Sequence, residues 1–118
     1  MEAELGRKIQ VALCQAGARV WRNNCGMAWQ GSEVIHCGKD VIIKNARPVH
    51  FGLCENSSDY IGIYKGRFLG TEVKTASGLV KPGQQLFIDM VNANGGIAFV
   101  ARTEKQALEE LNAANLRM

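Results

Sequence analysis

Two carboxylates and a lysine, Asp59, Glu72 and Lys74, are spaced so that they can share one side of a β-hairpin. Residues 59–64 and 67–76 read as two strands around Lys65-Gly66, a turn pair. A loop centred there sets Ile63 opposite Phe68, Ile61 opposite Gly70 and Asp59 opposite Glu72. Side chains alternate across a strand, so these residues lie on one side, and Lys74, two positions beyond Glu72, lies with them. Directly opposed carboxylates have Cβ atoms ~4.5–5.5 Å apart and repel each other. At the end of an apolar face the repulsion grows, because the dielectric is lower. A divalent cation relieves it, and Mg²⁺ is usually held by one or two carboxylates plus a substrate phosphate. A lysine beside such a pair orients a water or neutralises charge building on a phosphate. The competing reading is a solvated strand end with Glu72 and Lys74 as a weak ion pair.

Two helices bear on that choice. Leu5, Ile9, Ala12, Leu13 and Ala16 recur at helical spacing, which predicts a helix over 2–16 that Gly17 stops. Pro82 opens a second helix, and Asn94-Gly95-Gly96 ends it. Glu2 falls in line with Leu5, Ile9 and Leu13, and Gln84 with Phe87, Ile88 and Val91. Each helix therefore begins its apolar stripe with a polar residue. Taken singly, each is explained by a frayed helix end. Taken together, they are expected to converge with the hairpin carboxylates at one end of a core.

The remaining elements frame the site. Residues 18–23 and 97–102 read as strands, and 33–53 as a hairpin with loops. Thr103 caps a last helix, with Gln106 completing a capping box. The order is α, β, a β-rich insertion, β, β, α, β, α.

Composition narrows the class. A chain of 118 residues, 47% apolar and 21% charged, fits one folded domain and excludes a disordered tail. No apolar run reaches the ~18–20 residues of a membrane span. Glu2 and Glu4 stand where a signal peptide carries positive charge. The net charge of +3 is compatible with a polyanionic partner without requiring one. Cys14, Cys25, Cys37 and Cys54 form no C-x-x-C pair and read as reduced thiols of a cytoplasmic protein. His36 and His50 are too far apart for a local metal pair, so core or surface histidines are expected. Trp29 reads as half-buried, with an exposed platform for a base as the alternative. Lys39, Lys44 and Arg47 are either phosphate contacts or a solvated loop. No phosphate-cradling G-x-x-x-x-G-K-[ST] loop is present.

One ordered set of motifs resembles a known family. Glu2, Trp21-Arg22-Asn23-Asn24-x-Gly26, Phe51-Gly52-Leu53, Ser57-Ser58-Asp59, Glu72-Val73-Lys74, Pro82-x-Gln84-x-x-Phe87 and Gly95-Gly96-Ile97-Ala98 follow one another along nearly the whole chain. The set resembles the VRR-NUC domain, the virus-type replication-repair nuclease branch of the PD-(D/E)XK superfamily. Gly6 departs from it, since a glutamine is expected beside the acid of the first helix. The resemblance implies an α/β fold with a restriction-endonuclease-like core, a mixed sheet flanked by helices. It implies one nuclease domain over 1–118, with the β-rich insertion at about 27–50. It further implies a Mg²⁺- or Mn²⁺-dependent DNA endonuclease leaving a 5′-phosphate and a 3′-hydroxyl. In that reading Asp59, Glu72 and the backbone carbonyl of Val73 hold the metal. Lys74 positions the attacking water, Glu2 completes the acidic cluster and Gln84 braces the site. Arg22, Asn23, Asn24, Ser57, Ser58, Lys44 and Arg47 are the expected DNA contacts. Stand-alone members of the family act as homodimers on branched DNA such as Holliday junctions. The implied setting is the cytoplasm of a bacterial or phage-infected cell. The rival expectations are a non-catalytic nucleic-acid-binding module and a nuclease subunit targeted by a partner protein.

Overall fold

The elements follow the order expected from sequence, with one strand more in the insertion. The computed structural model describes residues 2–117. The elements are α1 (Glu2–Gln15), β1 (Arg19–Arg22), β2 (Gly26–Gln30), β3 (Glu33–Cys37), β4 (Asp40–Lys44), β5 (Arg47–Phe51), β6 (Tyr60–Tyr64), β7 (Arg67–Val73), α2 (Pro82–Ala93), β8 (Ile97–Ala101) and α3 (Glu104–Leu116). Residues up to Asn23 and from Asn56 onward form one unit, and Asn24–Glu55 forms a second.

The first unit is built on a four-stranded mixed sheet in the order β1-β6-β7-β8. β1 and β6 pair antiparallel, as do β6 and β7, while β7 and β8 run parallel. A parallel pair needs a crossover connection, and α2 supplies it. The hairpin register is the expected one, with Ile63 opposite Phe68 and Ile61 opposite Gly70. Gly62 is required there, since a Cβ at this position would run into the carbonyl oxygen of Arg19 in β1.

Alternation along the strands divides the apolar residues between two faces. Tyr60, Tyr64, Leu69, Val73, Ile97 and Phe99 point to the side covered by α1 and α3 and pack with Ile9, Leu13, Ala107 and Leu111. Ala98 and Val100 point the other way and meet Phe87, Ile88 and Val91 of α2. The helices that were expected to share one core end therefore lie on opposite faces. The physical reason is that β8 is apolar on both of its sides and needs cover on both. Gly6 lies buried in α1 against Tyr60, and a Cβ on it would stand only 2.9 Å from the phenol oxygen. The absence of a side chain at Gly6 thus admits the Tyr60 ring.

The second unit is a two-stranded antiparallel ribbon. β2 pairs with β5, and β3 with β4. Gly26 faces Phe51, Gln30 faces Arg47, Glu33 faces Lys44 and Cys37 faces Asp40, so one register runs from base to tip. Residues 26–51 therefore correspond to the insertion expected at about 27–50. β2 itself was not legible as a strand. Trp29, expected to be half-buried, is exposed, because a two-stranded ribbon has no second layer to bury it.

Candidate functional site

The site forms where β6 begins and β7 ends. Asp59 immediately precedes β6, and β7 carries Glu72 and Val73 to its end. The Val73 N–H lies beyond the last β6–β7 pair, and the Asp59 Oδ2 accepts it at 2.8 Å. Buried backbone donors are almost always paired, so this bond both satisfies the chain and fixes the carboxylate. On its other side Asp59 accepts the Asn23 N–H at its own carbonyl, 2.7 Å away. The aspartate is thereby held between β1 and β7.

Glu72 is only 2% exposed. The Gln84 Nε2 donates to its Oε1 at 2.8 Å. Gln84 is itself oriented, because its Oε1 accepts the Lys81 N–H at 2.9 Å in the capping box of α2. The amide donors of Gln84 are thus turned toward the carboxylate. The Lys74 Nζ stands 3.7 Å from the same Glu72 oxygen, with its side chain 13% exposed. Lys74 is anchored through its N–H to the Ala101 carbonyl at 3.1 Å. The segment that follows is clamped by Arg102, whose guanidinium donates to the carbonyls of Thr75 and Gly78 at 2.6 and 2.7 Å.

Charge is poorly balanced here. Burial, and after it the neighbouring Asp59 carboxylate, push Glu72 up to about 7 from its usual 4.5, against the pull of Lys74. Near neutral pH Glu72 therefore holds a proton far more readily than an ordinary carboxylate. The remaining oxygens of the two carboxylates are hard donors of the kind that suits Mg²⁺ or Mn²⁺. Two carboxylates, a buried position and a raised proton affinity fit such an ion.

Glu2 does not extend this donor set. It is exposed at the start of α1, on the helix that covers the opposite face of the sheet. Among the described residues no three of His, Cys, Asp and Glu gather as metal ligands. Val73 takes part through its N–H rather than as a shown carbonyl donor.

The expected DNA contacts divide by burial. Ser57 and Ser58 are buried, and Asn23 donates through its Nδ2 to the Ser57 hydroxyl at 2.7 Å and the Ser58 carbonyl at 2.9 Å. These three residues brace the approach to Asp59 and are not an open contact surface. Arg22 is exposed and lies over the Tyr60 ring, 5.5 Å from its centroid. Asn24, Lys44 and Arg47 belong to the ribbon unit. There Lys44 faces Glu33 across the strands, and Arg47 donates to the Gln30 Oε1 at 2.9 Å. All four cysteines are free, and His36 and His50 are exposed.

One positioning residue, Arg102, was missed from sequence, and another, Asn23, was expected in a different role. Asn23 looked like a ligand contact because it ends a strand in a polar run. Arg102 carried no signal, since an arginine after a strand is ordinary, and only the fold brings it to the loop after Lys74. Among the described residues, the hydroxyls of Ser58 and Thr71 are buried without a hydrogen-bond partner. Compared with known proteins, the chain matches no family model and no curated sequence.

Proposed function

We propose that this chain is a metal-dependent DNA endonuclease of the PD-(D/E)XK type. In this reading it works as a homodimer on branched DNA such as Holliday junctions. The observation that carries the reading is the buried Glu72 beside Asp59, with Lys74 and Gln84 both directed at its Oε1. A purely structural carboxylate pair is an unfavourable use of a buried position, because two like charges are desolvated together. A phosphodiester-cleaving site makes use of that arrangement.

A bound Mg²⁺ or Mn²⁺ screens the phosphate charge and lowers the pKa of a nearby water. The protein groups do the rest. Asp59 is pinned through one oxygen by the Val73 N–H, beside the Glu72 carboxylate. Gln84 holds Glu72 in one orientation and occupies one carboxylate oxygen, which leaves the second for a cation. The Lys74 ammonium holds the attacking water in line or meets the negative charge that grows on the phosphate. Its attraction is stronger in the transition state than in the ground state, so it acts on rate more than on binding. Beyond the cover of α2, the same sheet face is apolar and open at Trp21, Ile63 and Phe68. Exposed apolar side chains of this kind are surfaces on which unpaired bases stack.

The test is cleavage of a labelled panel of duplex, flap and four-way-junction DNA with Mg²⁺ or Mn²⁺. The expected result is cutting by the wild type and at least a hundredfold loss in Lys74→Ala with DNA binding retained. No cutting of any DNA with either metal would overturn the enzyme reading and favour a binding module. Equal loss of binding and cutting in Lys74→Ala would make the lysine a phosphate contact.

A further inference from the structure

Part of one sheet face has no helix over it. Along β6 the buried Tyr60, Gly62 and Tyr64 alternate with Ile61 and Ile63, and in β7 the buried Leu69 follows an exposed Phe68. Trp21 of β1 stands opposite Ile61, and Ile63 stands opposite Phe68. By alternation these four side chains share the face that α1 and α3 do not cover. α2 covers the same face at Ala98 and Val100 of β8. Trp21 is left 58% exposed, Ile63 55% and Phe68 37%. The face ends in the acids, since Asp59 lies two positions before Ile61, and Glu72 two beyond Gly70, the residue opposite Ile61. All of these residues belong to one unit.

Spacing and charge select the occupant. The acids, then Trp21 with Ile61, then Ile63 with Phe68 form successive rows across the strands. Rows two residues apart along a strand are ~7 Å apart. That is about twice the ~3.4 Å per nucleotide of a stacked strand. A nucleic-acid strand with a phosphate at the acids, running along these rows, has its bases drawn apart and each set against a row. Duplex DNA cannot use such a face, because it presents phosphates, sugars and groove edges and keeps its base faces inside the stack. Unpaired bases present those faces, which stack on aromatic side chains whatever the sequence. Arg19 and Arg22 flank Trp21 along β1. Between Asn24 and Glu55 the cations Lys39, Lys44 and Arg47 are matched in number by Glu33, Asp40 and Glu55, so the net charge of +3 lies in the unit that bears this face. That charge draws a strand of phosphates, whereas an apolar protein surface gains nothing from it.

We infer that Trp21 is a stacking platform for an unpaired base of the DNA strand that is cut, one row from the phosphate at Asp59 and Glu72, with Ile63 and Phe68 receiving the next base. The substrate is thereby narrowed to DNA whose bases beside the cut are unpaired, such as a single-stranded arm or an opened branch point. A fully paired helix leaves Trp21 without a partner. This inference rests on the nuclease reading for the phosphate at the acids, while the stacking itself needs only the sheet face.

Two measurements on the full-length protein separate stacking from cutting. In a Trp29→Phe protein Trp21 is the sole tryptophan, and its emission is followed in metal-free buffer during titration with oligothymidine or a duplex of equal length. Oligothymidine should quench Trp21, and the duplex should do so only at a concentration at least tenfold higher. Trp21→Ala should weaken binding of a labelled oligothymidine at least tenfold, by the same factor at low and high salt because stacking releases no counterion, and Trp21→Phe should restore most of it. Should the alanine variant fail to fold, the quenching of Trp21 still decides. With Mg²⁺, a duplex mismatched beside the cut should be cut at least tenfold faster than the fully paired duplex, and Trp21→Ala should remove that advantage. Absence of quenching by oligothymidine, equal quenching by the duplex, or an advantage untouched by Trp21→Ala would overturn the platform and leave the nuclease chemistry standing. Blue-shifted Trp21 emission in the free protein, with light scattering giving twice the chain mass, would assign the face to a second copy and overturn it as well. Quenching by oligothymidine without cutting of any DNA would keep the stacking site and overturn the nuclease reading.

Discussion

Glu72 carries the strongest electrostatic conflict in the molecule, and its resolution makes stability depend on pH. The folded protein keeps its proton up to about pH 7, whereas an unfolded chain releases it near 4.5. Between those values folding takes up a proton. The proton-linked stability is therefore fully present below pH 4.5, falls as pH rises, and is gone above about 7. The metal-free protein therefore loses stability as pH rises through this range. Glu72→Gln keeps the shape and an oxygen for Gln84, and it should flatten that slope in denaturant titrations from about pH 4.5 to 8. A divalent cation competes with the same proton, so Mn²⁺ should raise the melting temperature more at about pH 8 than at about pH 5.5. A Mn²⁺ effect that persists in an Asp59→Ala, Glu72→Ala protein would remove these two residues as the metal ligands. The constellation Asp59, Glu72, Lys74 and Gln84 was readable because alternation and helix periodicity are local rules. Glu2 was misplaced because periodicity gives the stripe a residue belongs to, and not the face of the sheet that the stripe will cover.

At the scale of elements, the same distinction holds. The β6–β7 register was fixed by the Lys65-Gly66 turn, where both residues have positive φ, at 49° and 77°. The bounds of α1, α2 and α3 followed from Gly17, Pro82 and Thr103. Thr103 accepts the Gln106 N–H as expected, although the Gln106 side chain takes the Arg102 N–H rather than that of the cap. β2 was invisible because Gly26–Gln30 neither alternates nor buries anything, and its strand character comes from β5 alone. Gly6 shows how packing overrides propensity. Alanine at an exposed site in a helix interior would gain ~1 kcal/mol over glycine. Here the new methyl would press on the Tyr60 ring, which is buried between α1 and the sheet and cannot swing away. Gly6→Ala should therefore destabilise the protein by ~1–3 kcal/mol, the usual cost of overpacking. It should also perturb Asp59, the next residue to Tyr60. Chemical denaturation measures the first effect, and a stabilised variant would show that the ring has room to yield.

At the scale of the whole molecule, the two units differ in charge. The sheet unit carries the acidic site and the full excess of positive charge, and the ribbon unit carries neutral apolar surface. Phosphate contacts are expected from Arg22 and its neighbours on the sheet unit, which carries the excess positive charge, rather than from Lys44, which stands opposite Glu33, and Arg47, which donates to Gln30. At +3 per copy the general attraction to a duplex is weak, so affinity must come from positioned contacts that a second copy repeats. Each phosphate neutralised releases a counterion and steepens the fall of affinity with salt. The proposed dimer would thus give a steep salt dependence from a modest net charge, and its two sites, related by a two-fold axis, would match the symmetry of a four-way junction. Gel-shift titrations across salt should show tighter binding to a junction than to a linear duplex. Arg22→Ala should lower the logarithmic salt slope by about one for each copy engaged, while Lys44→Ala and Arg47→Ala leave it unchanged. A slope that drops with the ribbon variants would return those two residues to the DNA. Equal affinity for junction and duplex would leave a general nuclease with no preference for branches.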